Sequence, residues 1–351
     1  MTLSVSVASA ARTLSRPAHN ARAHWSERSS CIVTLQGENG SSGQGEAAPL
    51  PGFSPDTLPR CAAALSALDL HGVPERLAPG QDLIGELSQS SARLPQNLPA
   101  ARAALEGALL DLWARAAGVP AWALLLPGVP APSARTVAAL LSGEPEQALT
   151  QALAASERGI GTFKFKIGRP GALERELSAV QALRARLGPG VRLRLDANQS
   201  LSAAEAKQYL PRFAACELEF IEEPCAPHAL FELRELGLPL ALDESLAAGA
   251  RPERGDRALI LKPTLVGGVS GCVALARAAH AVGAQVILSH AFEGPLGLGL
   301  CAALALSIGS QTLAHGLDLE GARLDQLSLP GFSESAIEPW SEAGFGVREP
   351  A

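Results

Sequence analysis

From about residue 135 the chain settles into a repeating rhythm of short apolar or alternating runs followed by amphipathic stretches. "RTVAALLSG", "TFKFKIG", "VRLRLDAN", "LEFIEEP", "LPLALDES", "RALILKP", "AQVILSH" and "QTLAHGLD" have the length and branching of strands. Between them, "EPEQALTQALAASERG", "GALERELSAVQALRARLG", "LSAAEAKQYLPRFAA", "HALFELRELG", "VSGCVALARAAHAVG" and "GLGLCAALALSIG" repeat apolar positions at helical spacing. Eight strands alternating with helices predict an α/β fold, a parallel TIM-like barrel.

The first hundred residues follow another rule. "TLSVSV" and "CIVTLQ" alternate like short strands, and "TLPRCAAALSALDLHGV" is amphipathic and helical. "GENGSSGQGEAAPLPG" between them is a Gly/Ser/Pro-rich loop; its glycines lack GxGxxG spacing and no helix follows at once, so they serve turns rather than a phosphate. "LPAARAALEGALLDLWARAAG" is a long helix ending at Gly118, with Pro120 just beyond as a stop. The expected organisation is an α+β domain over residues 1–105 and a barrel over 106–324. A tail from about 325 to 351 contains no further strand–helix unit and returns to pack on the N-terminal region.

Composition narrows the function. With 351 residues, 47 % hydrophobic and 18 % charged, the chain is globular and large enough for a barrel plus a second domain. A net charge of −6 gives no footprint for nucleic acid, and no apolar run reaches the roughly 18 residues of a membrane span. The N-terminus lacks the continuous apolar core of a signal peptide. Six scattered cysteines without a CxxC pair predict free buried thiols, hence a cytoplasmic protein.

The polar residues that end the strands carry the chemistry, because barrel active sites lie at the C-terminal ends of the strands. Strand two ends with Lys164 and Lys166, strand three with Asp196 and Asn198, and strand four with Glu222 and Glu223. Strand five ends with Asp243 and Glu244, and strand six with Lys262. Alternation puts Lys164 and Lys166 on one face, and lets only one member of each acid pair point inward. Register leaves that choice open, and the first of each is preferred. Asp196, Glu222 and Asp243 then supply three hard oxygen ligands suited to Mg²⁺, with Mn²⁺ as a substitute, and no His or Cys sits there to favour zinc. A substrate carboxylate on that cation acidifies its own α-carbon, a neutral lysine removes the α-proton, and the cation stabilises the enediolate. A neighbouring ammonium and the metal both push a lysine toward the useful basicity of about 7 to 8. The charge balance favours a small-molecule dicarboxylate.

"KFK", "LDAN", "IEEP", "LDES" and "LKPTLVGG", in this order and spacing, resemble the enolase superfamily, in its muconate-lactonizing-enzyme branch with a lysine on each side of the metal. "GQGEAAPLPGFSPDT" resembles the N-terminal loop of the o-succinylbenzoate synthase family, and "AALEGALLDLWARAAGVPAWALLL" the helix preceding the barrel in this branch. The resemblance covers about residues 25 to 320. It implies a (β/α)7β barrel under an N-terminal α+β capping domain, Mg²⁺ on Asp196, Glu222 and Asp243, Lys166 as base and Lys164 as its electrostatic partner. Lys262 would stabilise the enediolate. The implied reaction is dehydration of 2-succinyl-6-hydroxy-2,4-cyclohexadiene-1-carboxylate to o-succinylbenzoate in menaquinone biosynthesis, a carbon–oxygen lyase step. The alternative is an N-succinylamino acid racemase or dipeptide epimerase, with Lys166 and Lys262 exchanging protons on opposite faces. A third reading is a catalytically inert barrel kept for binding; the intact lysines and acids speak against it.

Strand seven departs from the family, reading "ILSHAFEGPLG" where several members carry a serine-rich run. Ser289 or backbone amides near Gly294 are the expected holders of the succinyl carboxylate. Asn198 is either a neighbour that bonds to the metal site or a turn former. His290 and His315 end strands seven and eight and read as structural histidines, and His280 as a helix-surface residue. "DLEG", Asp318 to Gly321, falls short of the DxD that epimerases place after strand eight, and reads as a solvated loop.

Overall fold

The computed structural model describes residues 3–19, 24–141, 143–319 and 329–347. The N-terminal region opens with β1 (Ser4–His19), β2 (His24–Gln36) and β3 (Ser42–Ala47), an antiparallel sheet in the order β1-β2-β3. Helices α1 (Leu58–Ser66), α2 (Leu83–Ser91) and α3 (Pro99–Ala117) complete it. The strands are far longer than the alternating "TLSVSV" and "CIVTLQ" suggest, and β3 arises inside the stretch read as a loop. Only Gly37 to Ser41 forms the turn, closed by the Gly37 amide on the Ser41 carbonyl at 2.9 Å. The glycines of β3 are there for close approach: a Cβ at Gly45 would lie 2.0 Å from the Ala104 carbonyl oxygen, and one at Gly43 2.3 Å from the Leu112 nitrogen. They let the sheet lie directly on the α3 backbone.

α3 ends as expected, on Gly118 in the left-handed conformation (φ 70°). The division expected at residue 105 would cut this helix in the middle; a break after Gly118 leaves it whole. After α4 (Ala121–Leu125) come β4 (Arg135–Thr136), β5 (Ala139–Leu141) and α5 (Pro145–Glu157). Then follow β6 (Thr162–Lys166), α6 (Leu173–Leu187), β7 (Arg192–Asp196), α7 (Ala203–Ala214), β8 (Leu218–Glu222) and α8 (Leu230–Arg234). The barrel continues through β9 (Leu240–Leu242), α9 (Glu244–Ala247), β10 (Asp256–Leu261), α10 (Pro263–Val266), α11 (Gly268–Val282), β11 (Gln285–Leu288) and α12 (Pro295–Ile308).

β5 to β11 form one seven-stranded parallel sheet in sequential order. The eighth strand shrinks to two residues: His315 bridges Val137 and Gly316 bridges Ser289, both parallel, so the ends of the sheet meet. The fold is the TIM-like barrel that the alternation predicts, with the capping domain that the resemblance implies. Its core is continuous from cap to barrel, with Leu105, Phe163, Leu195, Leu259 and Leu304 in one buried apolar cluster. The tail returns through β12 (Ala336–Ile337), antiparallel to β4, and the Phe345 amide donates to Asp111 Oδ1 of α3 at 2.9 Å. Residues 325–328 and 348–351 of the expected tail lie outside the described residues.

His315 is the closing residue of the barrel. Its Nδ1 accepts the Leu288 amide (2.9 Å) and its Nε2 faces the Ser310 carbonyl (3.1 Å), so the ring is a neutral, fully used imidazole. Burial lowers its pKa to about 3. An unfolded histidine takes up its proton near 6.5, so between about 6.5 and 3 the unfolded chain binds more protons than the folded one. The His315 contribution to stability is therefore fully present above pH 6.5 and falls as the pH drops through that window. Lowering the pH from 7.5 to 5 is expected to cost the wild type more, or gain it less, in urea midpoint than it does His315→Gln; an equal pH slope in that variant would remove His315 as a contributor.

Candidate active site

Register alone assembles the centre of the site. β6 pairs with β7 so that Lys164 lies opposite Arg194 and Lys166 opposite Asp196, and β7 pairs with β8 so that Asp196 lies opposite Glu222. Lys166, Asp196 and Glu222 thus form a row at the C-terminal rim, with Lys164 and Arg194 one layer deeper. Lys164 Nζ is 3.0 Å from Glu222 Oε1 and 3.3 Å from Asp196 Oδ2. Lys166 Nζ donates to Asn198 Oδ1 at 2.6 Å and stands 3.6 Å from Asp196 Oδ2. Across the barrel, Lys262 follows β10 and donates to Asp243 Oδ2. All six residues expected from the sequence to act in catalysis or metal binding therefore meet in one cluster.

The two acid pairs resolve differently. Glu222 faces the lysines, while Glu223, at φ 41°, turns away and accepts from the amides of Asp243 (2.7 Å) and Ser245 (2.8 Å), from Ser245 Oγ and from Gln199 Nε2. It braces β8 against the end of β9. In the second pair, the expectation of a single inward residue fails. β9 ends at Leu242 and α9 starts at Glu244, so strand alternation no longer applies, and both carboxylates reach the site. Asn198 Nδ2 donates to Glu244 Oε1 at 2.8 Å, which links Glu244 through Asn198 to Lys166. Asn198 is also a turn residue, at φ 43°, with its amide on Asp196 Oδ1. Its side chain therefore bridges Lys166 and Glu244 while its backbone makes the turn.

Charge in this centre is unevenly balanced. Burial opposes the charging of Lys164, but Glu222, Asp196 and Asp243 outweigh it and hold its ammonium above the ordinary lysine range; Lys262 is raised in the same way by Asp243, Glu244 and Glu222. The lowering expected from an adjacent lysine does not prevail at Lys164, because Glu222, Asp196 and Asp243 outweigh it. Burial also acts on Asp196, where Lys164, Lys166 and Lys262 overcome it and keep the carboxyl ionised. Its neighbours go the other way. Burial raises Glu222 to about 8, Glu244 to about 7 and Asp243 to about 6, each with a further push from another carboxylate.

Among the described residues, no three His, Cys, Asp or Glu side chains stand together as a metal-holding group; lysine ammoniums lie between the acids. The donor set nevertheless fits a hard divalent cation. Asp196, Glu222 and Asp243 are all carboxylates and all buried, and beside them Glu244 Oε2 is enclosed without a hydrogen-bond partner.

A cavity opens above this centre. Ser289 and His290 line it, as does Asp318, which pairs with Arg158 at 3.7 Å. Glu320 of the same motif lies outside the described residues. Gly294 is not brought to the cavity: its amide donates to Glu46 Oε1 of β3 at 2.9 Å, so that backbone group is already engaged. His280 is exposed. Sequence reasoning missed Arg194, which lies on the cavity floor and is ion-paired to Glu219 at 2.6 Å. Its position two residues before Asp196 was the available signal, since it shares that inward face. It also missed the apolar roof of Trp25, Leu50, Phe53 and Phe292, with the Phe53 ring 5.3 Å from Lys262 Nζ. Nothing in a strand pattern marks those residues.

A capped barrel with buried acids and lysines at its strand ends defines an enzyme of the enolase type. The sequence profile described as "Enolase C-terminal domain-like" matches residues 147–348, and that described as "Mandelate racemase / muconate lactonizing enzyme, N-terminal domain" matches residues 2–125. The chain is 32 % identical to the o-succinylbenzoate synthase of Yersinia enterocolitica over 91 % of its own length and 88 % of that protein's. It is also 32 % identical to the o-succinylbenzoate synthase of Thermosynechococcus vestitus over 69 % and 68 % respectively. Among solved structures, a dipeptide epimerase from Methylococcus capsulatus, complexed with Mg and a dipeptide, superposes with a TM-score of 0.81 at 25 % identity, covering 99 % of both chains. The muconate lactonizing enzyme of Pseudomonas fluorescens gives 0.81 at 22 %, covering 98 % of this chain and 95 % of its own. The chain belongs to the enolase superfamily, in its muconate-lactonizing-enzyme branch. It is a lyase-type enzyme, and none of its described helices is long and apolar enough to cross a membrane.

Proposed function

We propose that this protein is an o-succinylbenzoate synthase, dehydrating 2-succinyl-6-hydroxy-2,4-cyclohexadiene-1-carboxylate in the cytoplasm as a step toward menaquinone. The observation that carries this reading is the inequality of the two opposed lysines. Lys166 donates to the neutral amide oxygen of Asn198 and stands 3.6 Å from the Asp196 carboxylate, whereas Lys262 donates directly to the Asp243 carboxylate. The first is the more loosely paired with a carboxylate and is read as the proton carrier, the second as a fixed charge. Two-base epimerisation needs two proton carriers; syn elimination needs one.

Asp196, Glu222 and Asp243 would hold Mg²⁺, which when bound draws electrons from a substrate carboxylate and so acidifies the α-carbon. Lys166, neutral, takes the α-proton. The same ammonium then gives that proton to the hydroxyl leaving from the same face, so water departs and the base is regenerated. Lys164, held charged by Glu222 and Asp196, keeps an ammonium on the same strand face as Lys166. Lys262 offsets the negative charge that develops on the substrate carboxylate. Product aromaticity draws the reaction forward, and the apolar roof suits a flat ring.

Asp318 at the rim favours the epimerase as a second reading, since a carboxylate there could hold a substrate ammonium, but Arg158 already neutralises it. Lys262→Arg separates the two. It keeps the charge and removes the proton carrier, because arginine does not deprotonate. Dehydration is expected to survive within on the order of 10²-fold while any racemisation of an N-succinylamino acid disappears. Complete loss of dehydration in Lys262→Arg, with the fold intact by circular dichroism, would count against a purely electrostatic Lys262.

A further inference from the structure

The turn after β11, Ala291 to Gly294, is held almost entirely from the capping domain. The Phe292 carbonyl accepts from Arg12 Nη2 (2.5 Å) and Arg28 Nε (3.2 Å), the Glu293 carbonyl from Arg12 Nη2 (2.7 Å) and the Ala291 carbonyl from Arg28 Nη2 (3.3 Å). Glu46 receives the Gly294 amide. Within the turn, the Ala291 amide donates to Glu293 Oε2 and the Phe292 amide to His290 Nδ1 at 3.1 Å. Phe292 sits at φ 60°, a left-handed conformation that a bulky side chain avoids unless its surroundings impose it. Here the surroundings are two guanidinium groups beside Glu46 and Glu293, that of Arg28 buried and that of Arg12 half-buried. The strained residue is also functional surface. Its ring lies 6.3 Å from Trp25 and 5.2 Å from His290, and all three line the cavity.

Arg28 does more than hold the turn. Its Nη2 and Nη1 also donate to the Ala48 (2.6 Å) and Pro49 (3.1 Å) carbonyls, immediately before Leu50 and shortly before Phe53. One planar guanidinium thus ties together the two segments that roof the substrate cavity, one from the cap and one from the barrel. We propose that Arg28, supported by Arg12, is a positioning residue for substrate selection: it fixes the distance between the Leu50–Phe53 loop and the strained Phe292 turn, and so sets the slot that admits a flat cyclic carboxylate. Lysine cannot replace it, because a single ammonium lacks the fork that reaches four carbonyls in two segments. This inference rests on the dehydratase reading for the identity of the ring, but the slot itself is defined by the bonds above.

Arg28→Lys and Arg12→Lys test it by their division between KM and kcat. Loss of the slot raises KM about tenfold and leaves kcat within about twofold, since the lysines and acids are untouched. A merely structural role would lower the active fraction, reducing kcat per mole of protein while KM stayed constant. That result would overturn the proposal, as would unchanged values of both constants in both variants. If Arg28→Lys fails to fold, Arg12→Lys decides, because it removes one of the two donors on Phe292 and none on the Leu50 loop. The wild-type enzyme is assayed first. If it does not dehydrate the cyclohexadiene but racemises an N-succinylamino acid, the dehydratase reading has failed, and KM for the latter substrate still tests the slot.

Discussion

Lys166→Ala is expected to lower kcat for dehydration by on the order of 10²–10⁴, the contribution of a positioned general base, with the fold unchanged. The side chain is 23 % exposed, and its polar contacts are Asn198 and Asp196, so truncation removes an amine without opening the core. Lys166→Arg keeps the charge and should be equally inactive, which separates proton transfer from electrostatics. Lys164→Ala should be damaging for another reason, because it leaves Glu222 and Asp196 without the ammonium that lies between them. If Lys166→Ala retained activity within a few-fold of wild type, the base would have to be sought elsewhere, and Lys262 would be the next candidate.

The second large effect concerns the carboxylates. Chelation with EDTA is expected to reduce turnover by on the order of 10³ or more, with recovery on adding Mg²⁺, since a bound cation supplies several kcal/mol of charge stabilisation. Asp196→Asn should reproduce most of that loss and should not recover at ordinary Mg²⁺ concentrations. Asp196 is the informative position because it stands between Lys164 and Lys166 in space and beside Asn198 in sequence. An EDTA-treated enzyme at full activity would remove the metal from the account and leave the buried acids to be explained by the lysines alone.

Much of this centre was legible because strands impose period two. "KFK" could place both amines on one face only, and "LDAN" and "IEEP" only had to end at the same height for Asp196 and Glu222 to meet. The logic failed where the strand stopped. Glu244 enters the site because β9 gives way to α9 one residue earlier, and no alternation rule sees that. β3 was hidden for a different reason: "SGQGEA" reads as a loop until α3 is seen lying against its glycines. The cavity roof is tertiary throughout. Trp25, Phe53 and Phe292 come from separate segments that only the assembled cap and barrel bring together. Gly294 was plausible as an anion holder from its place after strand seven, but Glu46 from β3 holds its amide.

The central claim is that one lysine carries one proton on one face. Purified protein with Mg²⁺, given 2-succinyl-6-hydroxy-2,4-cyclohexadiene-1-carboxylate and, in parallel, an N-succinylamino acid, tests it most directly. Conversion of the cyclohexadiene to aromatic o-succinylbenzoate, followed by its absorbance change and lost in Lys166→Ala, is the predicted result. No turnover of that compound, together with racemisation of the amino acid derivative, would contradict it.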